Sequence, residues 1–188
     1  RIQSLVTSQG RLPCDAVVLA VGHSARDTLS NLAAAGMALE AKPFQLGVRI
    51  EHPQALIDEA RYGDTKWVEP LGVSDYKLTC RAGSGAAAAH SFCMCPGGRI
   101  VASVQTEVLV CTNGMSNSSH STGWANAAVV GTVSPPAGAS PFCGVEYQES
   151  LERAAFDACG GDYTAPAQRA CDFISGAKSS NTPHTRLF

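Results

Sequence analysis

The sequence has no apolar run approaching the roughly 20 residues that a membrane-crossing helix needs. Its longest candidate, Ala16-Val17-Val18-Leu19-Ala20-Val21, is only strand-sized. It also lacks a surplus of either charge: 14 Lys and Arg stand against 16 Asp and Glu, a formal net charge of −2. With a pI near 6.2, nothing electrostatic points to nucleic acid or an anionic membrane as partner. Paired C-x2-C spacings are missing, which weakens a structural zinc site or a dithiol redox motif. No internal repeat is present. A secretory or transit segment is missing too: the chain opens at Arg1 on strand-like sequence and closes in the polar run Ser179 to His184. A fragment is expected on that ground.

What is present fits a globular chain. The length of 188 residues suits one domain or two small ones, and 45% hydrophobic residues can build a core. Eight cysteines are many, but disulfide scaffolds are usually short, core-poor and secreted. Cys14, Cys80, Cys111, Cys143, Cys159 and Cys171 stand beside apolar residues and read as buried small hydrophobes. Reduced thiols and an intracellular location, cytoplasm or organelle matrix or stroma, are expected. The sequon Asn117-Ser118-Ser119 matters only in a secreted protein and is taken as chance.

Along the chain, Ile2–Thr7 reads as a strand followed by a turn at Gly10. Ala16–Val21, unbroken and rich in β-branched residues, reads as a strand buried on both faces and ended by Gly22. A helix capped by Ser24 or Asp27 runs to about Ala35, where Gly36 stops it. Gln45–Glu51 alternates as a strand, and Pro53 opens a short helix. Residues 62–74 read as irregular, Tyr76–Arg81 as a strand and Gly83–Ala89 as a surface loop. Cys95-Pro96-Gly97-Gly98 signals a turn. Ile100–Val104 and Val108–Thr112 are expected to pair as a hairpin, with a loop over Asn113–Ala125 and a strand over Ala127–Val133. Pro135–Pro141 reads as a linker, Val145–Cys159 as a helix and Pro166–Gly176 as a second, shorter one.

Three clusters carry candidate chemistry. Gly22 at a strand end lets backbone approach a cofactor, and a following helix start would offer free N–H groups; a strand–turn–helix that merely packs is the bland alternative. Cys93 and Cys95 have three open readings: a redox pair, metal ligands with His90 or His120, or packing residues that shape a site wall. Gly97-Gly98 and Asn113-Gly114 read as tight turns that bring backbone to a ligand. In a strand, Arg49 and Glu51 face one side and Val48 and Ile50 the other. Arg49 suits an anionic substrate group or an electron-rich ring edge, and His52 suits proton transfer near neutral pH. An ordinary exposed ion pair is the competing reading there. Lys77 and His120 are weaker polar candidates.

The order of motifs resembles the FAD-dependent dehydrogenases related to two-dinucleotide flavoproteins of the glutathione-reductase type. The residues that carry this are Asp15–Val21 with Gly22-His23-Ser24-Ala25-Arg26-Asp27, Gly47–Gln54, Ser91–Gly98, Thr112–Ser116 and Ala125–Ala128. The likeness spans roughly residues 12–178. It implies a mixed α/β (α+β) chain: residues 1–42 as the C-terminal part of an FAD/NAD(P)-binding Rossmann-like domain, 43–178 as an inserted α+β domain on the substrate side, and 179–188 as a polar tail. It implies FAD as cofactor, NAD(P)H as electron partner and a small-molecule substrate. Val21, Gly22, His23, Ser24, Gly97, Gly98, Asn113 and Gly114 would contact the cofactor; Arg49, His52, Cys93 and Cys95 would serve catalysis, and no metal is expected. The family's glycine-rich segments for the FAD pyrophosphate are not in the chain. Gly83-Ser84-Gly85-Ala86-Ala87-Ala88 is rejected, because Cys95-Pro96 arrives too soon for the helix that must follow. Asn117-Ser118-Ser119-His120 replaces a Ser-Ala-Arg-Asp-like stretch, so no arginine-dependent step carries over from there. The chain would complete its site with the rest of its own polypeptide, or act as a non-catalytic module beside an assembly partner.

Overall fold

A computed structural model describes residues 2–83, 87–104 and 106–180 of the chain. It divides into two compact units, residues 1–39 and 40–188. No helix among the described residues is long and apolar enough to cross a membrane.

In the first unit, β1 (Ser4–Thr7) and β2 (Gly10–Pro13) form an antiparallel hairpin. Gly10 turns it with φ +118°, and Thr7 Oγ1 donates to the Gly10 carbonyl at 3.0 Å. The run Ala16–Val21 has no ladder partner among the described residues, it is exposed throughout, and Val18 is 91% accessible. An exposed segment thus stands where composition predicts a strand buried on both faces. Composition can suit a strand for two-sided burial, but neighbouring strands must supply the hydrogen bonds and the cover. The helix α1 spans Arg26–Ala34. Its N-cap is Ala25 with no side-chain cap, rather than Ser24 or Asp27, and Gly36 follows it at φ +88°. None of the described residues of this unit is buried, so it has no core of its own.

The second unit is built on a four-stranded sheet in which every pairing is antiparallel. Its strands are β3 (Phe44–Pro53), β4 (Thr79–Cys80), β5 (Ala89–Cys95) and β8 (Trp124–Val133), in the order β3-β8-β5-β4. A hairpin of β6 (Gly98–Ser103) and β7 (Cys111–Ser116) packs against this sheet. The helices are α2 (Gln54–Tyr62), α3 (Val68–Leu71), α4 (Cys143–Ala158) and α5 (Ala170–Ser175). The sheet pairings among the described residues are thus those of an α+β fold, with no parallel, doubly wound sheet. Ala125, Ala127 and Val130 of β8 form the buried core with Leu109, Val110 and Phe156. Small residues on the inner strand let the layers approach closely.

Several boundaries differ from the sequence reading. Residues 62–74 hold a 3-10 turn, Thr65–Trp67, and α3. The Tyr76–Arg81 strand shrinks to Thr79–Cys80. β6 pairs with residues 111–116 instead of 108–112, because Val108 adopts φ +59° and cannot continue a strand. Asn113-Gly114 lies inside β7 and not in a turn, and β8 starts at Trp124. Asn and Gly score poorly as strand formers, but pairing and packing override such preferences. Pro53 precedes α2 as its N-cap, and α5 starts only at Ala170. All eight cysteines are free; none is buried, and Cys80, Cys93 and Cys171 are exposed. Residues 84–86 of the rejected glycine-rich match, and 181–184 of the polar tail, lie outside the described residues.

One polar lock fixes α2 to the turn after β5. Gln54, Asp58 and Ser74 are all buried. Asp58 Oδ1 accepts from Gln54 Nε2 (2.8 Å), the Ser74 N–H (2.7 Å) and Ser74 Oγ (2.8 Å). Gln54 Oε1 accepts the N–H of Gly97 at 2.9 Å. Gly97 sits at φ +53°, where an added Cβ would collide with the His120 backbone, so only glycine serves. Buried polar groups survive when paired in this way. Asp58→Ala strands three donors at once and is expected to cost about 3 kcal/mol, read as a lower urea midpoint with an unchanged slope. A loss below about 0.5 kcal/mol would show the lock to be dispensable.

Candidate functional site

Alternation along β3 sends Arg49 and Glu51 to one face of the sheet and Val48, Ile50 and His52 to the other. Arg49 stands opposite Ala128 on β8, and a small neighbour leaves room for its side chain to cross that strand. On the far side, β5 departs from regular pairing. Phe92 is opposite Ala128 and Cys95 is opposite Asn126, so three steps on β5 match two on β8. This is a β-bulge, with Cys93 in the left-handed region at φ +48°. The bulge turns the Cys93 carbonyl toward Arg49, whose Nη2 donates to it at 3.0 Å. The Cys95 thiol donates to the same oxygen at 3.4 Å.

The other side of this cluster is closed by β7. A Cβ at Gly114 would fall on Asn126 Oδ1 and would lie 2.7 Å from Cys95 Sγ and 2.8 Å from Arg49 Cζ. Glycine is required because β7 crosses directly over the three side chains. Asn126 is fully buried. Four polar atoms in this small volume are buried without a hydrogen-bond partner among the described residues: Arg49 Nε and Nη1, and Asn126 Oδ1 and Nδ2. Among the described residues no carboxylate pairs with Arg49. A half-buried guanidinium with a single protein acceptor is costly, since desolvating a charge is compensated only by close partners.

The charge influences its surroundings. Burial pushes the Cys95 thiol above the ordinary cysteine range, the Arg49 charge pulls the other way, and Cys93 adds to the rise. Burial likewise raises Cys111, with Glu152 adding to it and Ser103 and Arg49 opposing. Tyr76 is raised by burial against the pull of Arg49. A thiol held in this way keeps its proton at neutral pH and is a poor nucleophile.

The structure therefore brings Arg49, Cys93, Cys95 and Gly114 together. It places His52 on the opposite face, where Nε2 lies 2.9 Å from Tyr76 Oη. Gly97 makes the tight turn, whereas Gly98 begins β6 and lies close to the Met115 carbonyl. The Asn113 side chain is turned back to the N–H of Gly114 at 2.8 Å. Val21, Gly22, His23 and Ser24 belong to the first unit; Gly22 has φ +81° with open space around it, just before the uncapped start of α1. His120 contacts the Pro96 carbonyl through Nδ1 at 2.9 Å, and Lys77 is exposed. Among the described residues, no group of three or more His, Cys, Asp or Glu could hold a metal ion. Asn126 and Tyr76 were not singled out from sequence. The signal for Asn126 was a lone amide between alanines in an apolar run; Tyr76 had none.

Comparison with known proteins agrees with this α+β unit as a defined module. Residues 43–187 match the family described as FAD-dependent protein, C-terminal domain-like. An uncharacterized protein of Clostridium beijerinckii is 41% identical over 182 residues, covering 96% of this chain and 34% of the relative. The chain belongs to the FAD-dependent protein C-terminal domain-like family. It spans about a third of the length of the curated relative it matches.

Two predictions follow from the geometry. Because Cys93 holds a positive φ, it already bears a left-handed penalty of roughly 1–2 kcal/mol, so Cys93→Gly is expected to melt above Cys93→Val by a difference of that order; equal thermal melts for the two variants would contradict the strained bulge. The second concerns pH. Cys95, Cys111 and Tyr76 bind their protons more tightly folded than unfolded, so the folded state holds more protons and stability falls as pH rises. The melting temperature is expected to hold below about pH 8.5 and to decline above it, through the two cysteines first and through Tyr76 only beyond about pH 10. A melting temperature that rises across that window would reverse the sign.

Proposed function

We propose that this chain is the substrate-side part of an FAD-dependent oxidoreductase, and that Arg49 is its central electrostatic residue. The observation that carries the reading is the guanidinium with Nε and Nη1 buried and unpartnered beside the orphaned amide of Asn126. Such a cation suits negative charge that arises during a reaction, because it needs no rearrangement when that charge appears. It fits the electron-rich end of a flavin or an anionic substrate group. When bound, FAD would supply the hydride chemistry. Arg49 holds positive charge, the Cys93 carbonyl and Gly114 fix its position, and Cys95 shapes the wall as a neutral thiol.

The first unit has its own part in this reading. Gly22 and the uncapped first turn of α1 offer backbone N–H groups to the oxygens of the cofactor. The exposed run Ala16–Val21 is the Rossmann-like element, and we assign its ladder partners to the rest of the polypeptide. A relative about three times as long as the match supports this. NAD(P)H as the electron partner rests on the resemblance alone.

The test uses the full-length protein. It is expected to purify with a flavin absorbance spectrum; a colourless protein whose spectrum added FAD leaves unchanged overturns the reading in favour of a non-catalytic assembly module. In the flavin-loaded protein, Arg49→Met is expected to lower the midpoint potential by roughly 30–60 mV, the effect of one charge at moderate distance. Arg49→Lys should lower it less. A potential unmoved by both substitutions removes Arg49 from the role assigned to it.

A further inference from the structure

The face of the sheet opposite Arg49 carries a second feature. Between α2 and the sheet lies a cavity of about 560 Å³, within the range that takes a small organic ligand. Ile50, Ile57, Leu78 and Val129 give it apolar walls. Arg61 and Asp75, both exposed, stand among its lining residues with opposite signs. Neither sign dominates the opening, so the cavity has no electrostatic reason to select an anion or a cation.

One hydrogen-bonded ring pair lines this space, beside the further polar side chains of Thr79, Cys80, His90 and Ser91. His52 and Tyr76 both line the cavity, and their rings pack at 5.6 Å. His52 Nδ1 lies 3.2 Å from the Pro53 carbonyl, which can only accept, so Nδ1 carries the ring proton. In the neutral ring Nε2 is then an acceptor, and the Tyr76 hydroxyl donates a hydrogen bond to it at 2.9 Å. Tyr76 Oη keeps its lone pairs for a donor from elsewhere. His52 is thus a positioning residue: it orients Tyr76 so that the tyrosine oxygen presents itself as an acceptor. Burial, which raises Tyr76, keeps that oxygen in a neutral hydroxyl.

We propose that this cavity binds a neutral, largely apolar small molecule bearing a hydroxyl group, whose O–H donates to Tyr76 Oη. The apolar body takes its affinity from the walls, and the acceptor that His52 orients on Tyr76 sets the orientation. An acceptor oriented in this way discriminates against analogues that lack the matching donor, because its own polar atom is then left unpaired. The proposal lies on the opposite face from Arg49 and does not depend on the cofactor.

Equilibrium dialysis of the full-length protein against 2-naphthol, 2-methoxynaphthalene and 2-acetonaphthone tests it. The expected result is saturable binding of about one equivalent of 2-naphthol, with the other two at least about tenfold weaker. Tyr76→Phe should abolish the preference while retaining weak binding of all three. Ala60→Trp, which fills the cavity from α2, should remove binding altogether. Flavin absorbance and the circular dichroism of the variants are recorded on the same samples, so that unfolding and loss of cofactor are separated from loss of the ligand. No saturable binding, binding untouched by Ala60→Trp, or tighter binding of the acceptor-only ketone overturns the proposal. A colourless protein that still binds 2-naphthol in this pattern upholds it while overturning the flavoenzyme reading.

Discussion

The second unit is organised around one desolvated positive charge. Arg49 extends from β3 across β8 and donates from Nη2 to the Cys93 carbonyl, and among the described residues nothing accepts from its buried Nε and Nη1. Keeping a guanidinium in such a place requires that its few partners be held rigidly. The bulge at Cys93 supplies the carbonyl, at the expense of a left-handed residue in a strand. Gly114 gives up a side chain so that β7 can cover the charge. Asn126, fully buried at the same point, leaves both of its amide atoms unpaired. Local departures from regular structure gathered at one spot are the usual mark of a functional site, since each would otherwise be removed at no loss to the fold.

The sheet separates two chemical environments. On one face lie a cation, an amide and a protonated thiol beneath a hairpin. On the other lie aliphatic walls and the hydrogen-bonded His52–Tyr76 pair beneath α2. The Asp58–Gln54–Ser74 lock joins them, because Gln54 begins α2 and also holds the N–H of Gly97 at the start of the hairpin. A shift of α2 would therefore be felt at the turn that positions β6 and β7. Packed polar networks transmit such shifts because their hydrogen bonds tolerate little stretching.

Much of the second unit was legible in the residues. The alternation of Leu46, Val48 and Ile50 located β3, the apolar spacing around Leu151 and Ala155 located α4, and the run Ala127–Val133 located most of β8. These signals are local, because a period of two or 3.6 requires only one buried face. The β6–β7 register was not legible. Asn113 and Gly114 argue against a strand by propensity, and only their place over Asn126 and Cys95 explains why a strand runs there. Ala16–Val21 erred the other way: its composition suits a two-sided strand, but pairing is a property of neighbours.

The sequence by itself determined the position of Arg49 and its face of the strand, because alternation needs nothing beyond the strand itself. It also indicated the flavoprotein family, through motifs too long to recur by accident. Only the tertiary structure decided what Arg49 touches, since Cys93, Gly114 and Asn126 come from three other strands far along the chain. It also joined His52, three positions from Arg49 and on the other face of the strand, to Tyr76. Contacts across strands depend on register, and register depends on the bulge and the packed glycine that no local pattern displays.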